Sequence, residues 1–476
     1  MASKIKFGTD GWRAIIAEDF TFDNVRICAQ SAAGYMKSAG LAKKGMVIGY
    51  DTRFASERFA AAAAEVVAAN GIKVYLCDSA APTPVISYSI LDFKAGGGII
   101  ITASHNPGQW NGFKFKQGDA RSASPEVITE LEKGISRLQS GAAGIKQISL
   151  DDAIEKGTVV KFDPAPAYIK HLGDMVDIEK IRRNGINIAV DSMYGAGAGY
   201  FRNILGGGKT KITEIHKKRN PLFPGLQPEP IAHNLTELST KIKQIRADVG
   251  FATDGDADRI GIMDEKGEFI TTLQTYALIA LYLLEVQGQR GPIIKTITTT
   301  NMLFRLGEIF KVPVYETPVG FKYVAPLMLE KDALMGGEES GGYGYRGHMP
   351  ERDGILSALF FLDLMIKLKK SPSQLIKYLY SKVGPHYFDR LDVDFPQEER
   401  EAIMKRLTDS RPSSIAGTAV REVETRDGFR FLMKDGSWLL IRFSGTEPIM
   451  RIYSESDSMK KVKTFLGEGK KLAGVK

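Results

Sequence analysis

Residues 97–115 read GGIIITASHNPGQWNGFKF. A run apolar enough for a buried strand stops abruptly at Ser104-His105-Asn106-Pro107, and Lys114 follows ten residues after the serine. Asn, Pro and Gly commonly close strands, so a polar turn accounts for part of this. A hydroxyl, an imidazole and an amide packed against a proline exceed what a turn needs. The rest of the chain shows why.

Three segments share one plan. The first runs from the strand GMVIGYDTR (45–53) through the Ala-rich helix SERFAAAAAEVVAANG and the strand IKVYLC to the strand that ends in SHNP. The second starts at GINIAVDSMYGAGAG (185–199), passes KITEIH, and closes on ADVGFATDGDADR (247–259). The third runs from GPIIKTITTT (291–300) through NMLFRLGEIF and VPVYETPVGFKYV to DALMGGEESGG (332–342). Each reads strand–helix–strand–helix–strand and delivers a polar loop at its last strand. That alternation predicts α/β units with parallel or mixed sheets, and ligands in such sheets bind beyond the carboxyl ends of strands. From about 386 the pattern changes to DVDFP, a helix EEREAIMKRLTD, short strands FRFLMK and WLLIRFS, and a final helix. The fold expected is three similar α/β/α domains with mixed sheets plus a smaller C-terminal α+β domain around a central cleft. The expected boundaries are 1–160, 161–268, 269–385 and 386–476.

The totals fit. At about one domain per 100–200 residues, 476 residues suggest three or four domains. Two cysteines, Cys28 and Cys77, give neither a disulfide framework nor metal-ligand spacing and suit a reducing cytosol. The start shows no secretory signal, and YALIALYLL (276–284) falls far short of the ~20 residues a membrane span needs. It reads as a core helix. A formal charge of +8 is spread among 56 acidic residues, with no basic stripe interleaved with aromatics, so nucleic acid is not the expected partner. Two decoys fail. YGAGAGYF has Tyr200 where a dinucleotide fingerprint needs glycine, and NILGGGKT has Asn203 at the first glycine of a P-loop.

Three loops carry chemistry. Asp254-Gly255-Asp256-Ala257-Asp258-Arg259 sets three carboxylates at alternate positions of what reads as an extended segment, where mutual repulsion favours a hard divalent cation. An EF-hand is rejected: Arg259 replaces its sixth-position glycine, and the flanks VGFAT and IGIM read as strands. Arg442-Phe443-Ser444-Gly445-Thr446-Glu447-Pro448, with Arg451 beyond, offers hydroxyls, open amides and guanidinium forks suited to phosphate. Gly337-Glu338-Glu339-Ser340-Gly341-Gly342 puts carboxylates and a hydroxyl where they can meet sugar hydroxyls.

FGTDGWR at 7–13, TASHNP with NGFK, DGDADR, GGEESGG and RFSGTEP, in this order and at these spacings, resemble the α-D-phosphohexomutase superfamily of phosphoglucomutases and phosphomannomutases. The resemblance covers nearly the whole chain. It implies that Ser104 carries and transfers a phosphoryl group, with Asp254, Asp256 and Asp258 holding Mg²⁺ together with that phosphoserine. Glu338 and Ser340 grip the sugar; Arg442, Ser444, Gly445 and Thr446, with Arg451 nearby, hold the non-reacting phosphate. Arg13, Lys114 and Arg259 lie near the reacting group, with His105 beside the serine. Lys114 is the candidate general acid–base, with a simple charge clamp as the alternative role. His105 is read as structural, since neighbours on an extended strand point to opposite faces.

The expected activity is interconversion of hexose 1- and 6-phosphates through a 1,6-bisphosphate, with glucose 1,6-bisphosphate as activator. The expected protein is cytoplasmic, a monomer or weak homodimer, with no membrane or nucleic-acid partner. Glucose is expected first, mannose second and glucosamine third. Gly342 stands where many bacterial relatives have histidine, and His348, Arg346 and Lys322 are the candidates to replace its contacts. A Mg²⁺-dependent sugar phosphatase and a sugar-phosphate binding protein are the rival readings; a serine hydrolase is disfavoured because no G-x-S-x-G surrounds Ser104.

Overall fold

Met46–Tyr50 is buried at every position, as a parallel strand must be when helices cover both faces of its sheet. The computed structural model describes residues 5–8, 10–443 and 449–475. In its first sheet β1 (Trp12–Ile15), β2 (Met46–Tyr50), β3 (Val74–Cys77), β4 (Gly97–Ile101), β5 (Trp110–Gln117) and β6 (Val159–Phe162) lie in the order β1-β5-β4-β2-β3-β6. The second orders β7 (Asn187–Asp191), β8 (Lys211–Ile215), β9 (Val249–Thr253), β10 (Ile260–Met263) and β11 (Phe269–Ile270) as β11-β10-β9-β7-β8. The third orders β12 (Ile293–Thr296), β13 (Val314–Thr317), β14 (Met335–Gly337) and β15 (Tyr343–Tyr345) as β13-β12-β14-β15.

One device repeats. In each sheet the first strand of the unit lies between the second and the third, parallel to both. An antiparallel strand then returns beside the third: β5 on β4, β10 on β9, β15 on β14. The polar loops are the turns of these three hairpins, so each leaves its sheet at the carboxyl edge of a parallel strand.

The helices are built as the sequence suggests. Thr272–Leu281 is capped by a reciprocal Thr271/Gln274 pair, is buried nearly all round, and continues as a π-turn through Tyr282–Val286. No helix among the described residues is long and apolar enough to cross a membrane. The C-terminal sheet joins β16 (Tyr387–Asp394), β17 (Ser414–Ile415), β18 (Thr418–Glu424), β19 (Phe429–Met433), β20 (Trp438–Phe443) and β21 (Ile449–Ser456) in the order β16-β21-β20-β19-β18-β17. It has its own core, including Phe431, Leu439, Ile441, Ile452 and Phe465. The first three units share one continuous core instead. A small apolar contact, Ile297 with Leu432, Trp438, Leu440 and Tyr453, joins the last domain to the third. Residues 444–448, between β20 and β21, lie outside the described residues.

One feature of the second unit makes stability depend on pH. His216 follows β8 with Nδ1 2.9 Å from Asp191 and Nε2 3.2 Å from Glu237. The hydrogen bond to Asp191, then its charge and that of Glu237, raise the imidazole above its ordinary 6.5. A raised folded value means the stabilisation is complete below about 6.5 and is lost as pH rises through the raised value. Between pH 6 and 9 the wild-type Tm is expected to fall by roughly 1–2 °C more than that of His216→Gln. Parallel slopes in the two melting series would contradict this.

Candidate active site

Ser104 does not continue the strand. Its φ of +53° turns the backbone into the left-handed region, which costs a non-glycine residue about 1–2 kcal/mol and has to be enforced by neighbours. Arg53, fully buried just past β2, enforces it. Its guanidinium donates to the carbonyls of Ser104 and Asn106 at 2.6 Å, Pro107 at 2.9 Å and Trp110 at 3.0 Å, while its Nε lies 3.2 Å from Asp51. One fixed cation thus shapes the whole loop. The Ser104 hydroxyl donates to Asp254 Oδ2 at 2.8 Å, and His105 Nδ1 lies 3.4 Å from the same hydroxyl. The left-handed turn therefore brings His105 to the serine's side, against the extended-strand expectation. Burial, with Arg259 and Arg13 nearby, lowers its pKa well below the usual value and favours the neutral ring.

The carboxylate loop also turns rather than extending. Ala257 has φ +55°, and its amide donates to the Asp254 carbonyl at 3.1 Å. The turn, not strand alternation, makes the three side chains converge. A Cβ on Gly255 would run into the Ser104 carbonyl, so only glycine lets the two loops touch here. All three aspartates are buried. Asp254 is pushed well above the usual range by burial and by Asp256 and Asp258. Burial opposes ionisation of Asp256 too, but Lys114 and the hydroxyl of Thr83, which donates at 2.7 Å, hold it below.

On β5 the alternation of NGFKFK puts Lys114 and Lys116 on one face. Lys114 Nζ lies 2.8 Å from Asp10, 2.9 Å from Asp256 and 3.8 Å from Asp258. Those carboxylates outweigh burial and keep it an ammonium. Lys116 meets Glu351 in a very short contact and Asp10 at 3.4 Å. Arg352 closes the cluster from the third unit. Its guanidinium donates to Asp258 at 2.6 Å, Glu338 at 3.1 Å and Asp10 at 3.2 Å. Residues of all three units thus form one buried network of charges, the setting in which electrostatic interactions act most strongly.

Four family models of the phosphoglucomutase/phosphomannomutase type match this chain: α/β/α domain I at residues 4–142, domain II at 166–267, domain III at 273–383 and the C-terminal domain at 396–468. The chain belongs to the phosphoglucomutase/phosphomannomutase family. It is 31% identical over 98% of both chains to a phosphoglucomutase/phosphomannomutase of Thermococcus kodakarensis. It is 28% identical, over 98% of both chains, to a phosphoglucosamine/phosphogalactosamine mutase of Sulfurisphaera tokodaii. A solved structure from Thermus thermophilus, provisionally named a phosphomannomutase, shares 33% identity and a TM-score of 0.86, with 99% of each chain covered. The protein is accordingly a phosphohexomutase, an isomerase that moves phosphate within a hexose phosphate. The expected fold class stands as well.

A family of this kind calls for a divalent cation, and the residues fit one. Asp254, Asp256 and Asp258 each offer an oxygen, all within 4.8 Å of one another. Oδ1 of Asp256 and Oδ1 of Asp258 are buried without a hydrogen-bond partner. An all-oxygen set of that charge suits Mg²⁺.

The structure brings Ser104, His105, Lys114, Asp254, Asp256, Asp258 and Arg259 together. Arg259 donates to Asp254 through its backbone amide at 3.1 Å and to Glu229 through its guanidinium. Arg13 donates to the Asn106 side chain at 2.6 Å. Glu338 joins through Arg352, and half-buried Ser340 sits in the same hairpin turn. Lys322 lies with its Nζ 5.2 Å from the Tyr323 ring centre. Arg442 and Arg451 face Asp427 and Asp392 inside the C-terminal domain, and Ser444, Gly445 and Thr446 fall outside the described residues. Two expectations are corrected. His348 is buried against Asp353 at 2.9 Å and His171 at 2.9 Å, and Arg346 pairs with Asp332, so neither replaces the absent histidine.

The space at Gly342 is taken by Arg352 instead. A Cβ there would lie 2.9 Å from Arg352 Cγ and 3.2 Å from its Cβ. Gly342→Ala is therefore expected to displace Arg352 and cost about 1–3 kcal/mol of stability, with kcat/KM reduced by roughly tenfold. Wild-type kinetics together with an unchanged melting curve would contradict it.

Proposed function

We propose that this phosphohexomutase acts on glucose phosphates ahead of mannose and then glucosamine phosphates, through phosphoserine at Ser104 and a 1,6-bisphosphate, with glucose 1,6-bisphosphate as its activator. The observation that carries the reading is the Ser104 hydroxyl, 2.8 Å from Asp254, at the rim of a buried carboxylate cluster faced by Lys114. Phosphorylated Ser104 donates its phosphoryl group to the free hydroxyl of the sugar. The Ser104 O–P bond breaks as the sugar O–P bond forms, and the proton of the sugar hydroxyl ends on the Ser104 oxygen, restoring its hydroxyl. After the bisphosphate reorients, the other phosphoryl group returns to Ser104.

Phosphate monoesters resist cleavage strongly, and phosphoryl transfer depends mainly on positioning and electrostatics. Phosphoserine adds about −1.5 to −2 of charge beside three aspartates, and Arg13, Lys114 and Arg259 answer it. Mg²⁺ held by Asp254, Asp256 and Asp258 would neutralise phosphoryl charge and polarise the reacting group. Lys114, kept cationic by Asp10 and Asp256, is better suited to clamp that charge than to accept a proton. Arg53 fixes the loop so that the Ser104 oxygen meets the substrate at one angle. Glu338 and Ser340 take sugar hydroxyls, while Arg442, Ser444, Gly445, Thr446 and Arg451 take the second phosphate.

The stretch TPVGFKYV, with GEESGGYGYRGHMPERDGI after it, supports glucose, because it resembles the phosphoglucomutase branch. Initial rates with the 1-phosphates of glucose, mannose and glucosamine rank the three. The expected order of kcat/KM is the one just given; a preference for glucosamine 1-phosphate would sink the assignment.

A further inference from the structure

Arg442 is the penultimate residue of β20, and its long side chain needs something to aim it. Its Nε donates to Asp427 Oδ1 at 3.0 Å. An arginine gripped at Nε keeps its two terminal nitrogens, the pair that meets a phosphate in parallel, for a ligand. Asp427 stands in the turn between β18 and β19, and that turn is held close against the end of β20. Gly428 has φ +103°, and a Cβ on it would lie 2.6 Å from the Ile441 carbonyl oxygen and 3.2 Å from Arg442 Cα. Only glycine allows this approach.

The other oxygen of the same carboxylate crosses the domain boundary. Asp427 Oδ2 accepts from the Val319 amide at 2.8 Å. Val319 belongs to the third unit, two residues before the helix Phe321–Glu330. Asp427 is thus anchored outside its own domain, and the direction of the Arg442 guanidinium is set relative to the third unit as well as to the C-terminal sheet. Both contacts need an acceptor. A carboxylate supplies two, whereas the amide of asparagine has one accepting and one donating end.

On the reading that Arg442 holds the substrate's non-reacting phosphate, we propose that Asp427 is a positioning residue for the reaction. Anchored by Val319, it aims the Arg442 guanidinium at that phosphate, and losing either contact loosens the aim.

Steady-state kinetics with glucose 1-phosphate, at a fixed trace of glucose 1,6-bisphosphate, test this on the full chain, Asp427→Ala, Arg442→Met and the double variant. A grip that is equal in the ground and transition states shows in KM and not in kcat. Asp427→Ala should raise KM by about tenfold, the scale of one hydrogen bond to a charged group, with kcat little changed. Because Asp427 acts through Arg442, adding Asp427→Ala to Arg442→Met should raise KM no further. Effects that multiply in the double variant overturn the role of Asp427, since they would mean that it acts apart from Arg442. A wild-type KM in Asp427→Ala beside a raised KM in Arg442→Met overturns that role alone. A wild-type KM in Arg442→Met overturns the phosphate reading, and the role of Asp427 with it. If Asp427→Ala does not fold, Asp427→Asn, which can keep only one of the two contacts, should raise KM in the same direction, and a wild-type KM there overturns the role.

Discussion

Ser104→Ala will lower kcat by about 10⁴-fold or more, the scale on which loss of a nucleophile acts, and the variant will carry no phosphoryl group. The loss follows from the oxygen itself. Among the described residues, the hydroxyl donating to Asp254 belongs to Ser104, and no neighbouring hydroxyl stands in its place: Thr83 is committed to Asp256 and Thr102 accepts from the Ser104 amide. The backbone that presents Ser104 is held through carbonyls by Arg53, so removing a hydroxyl leaves the loop in place. The melting curve should therefore stay close to wild type. Residual turnover near wild type would mean that some other group carries the phosphate.

Arg352→Met is expected to be the second most damaging change. Asp258 and Glu338 are buried, and the guanidinium is hydrogen-bonded to both as well as to Asp10. Truncating one partner of a buried charge network costs about 3–5 kcal/mol, because the remaining charges stay behind unpaired. The same change frees Glu338 from its orienting contact, and a misplacement of about 1 Å at such a site can cost roughly 10²-fold in rate. Both the thermal midpoint and kcat/KM should fall. Arg352→Lys should recover part of the stability but little of the rate, since an ammonium on a shorter stem lacks the planar fork that meets Asp258, Glu338 and Asp10 from fixed directions. A variant with wild-type rate and stability would show that Arg352 is a bystander.

The fold was legible because its signals are local. Strand GMVIGY, helix SERFAAAAAEVVAA and their counterparts in the next two units carry their own periodicity, and their order alone implies the repeated α/β plan. The site was legible where a polar run interrupts an apolar one, as at Ser104, at Asp254 to Asp258 and at Glu338. The returning strands were harder: IGIM announced itself after the aspartates, whereas Tyr343–Tyr345 spans three residues only.

What escaped the sequence was the support for those loops. Arg53 stands in GYDTR, a charged end to an apolar strand and so the same kind of signal as Ser104, yet its partners lie more than fifty residues away. Arg352 is 94 residues from Asp258 and 342 from Asp10. Nothing local distinguishes such an arginine from a solvated one. Asp10, Lys116 and Glu351 were missed for the same reason. His348 misled in the opposite direction: it follows the sugar loop closely in sequence, but its hydrogen bond to His171 spans 177 residues and holds it in the core.

Phosphorus NMR of the purified protein with Mg²⁺, a trace of glucose 1,6-bisphosphate and glucose 1-phosphate, run beside Ser104→Ala, reads out phosphoryl transfer through Ser104. The glucose 6-phosphate signal is expected to grow with the wild type and to be absent with the variant. Growth of inorganic phosphate in its place, or a 6-phosphate signal that persists in Ser104→Ala, would contradict it.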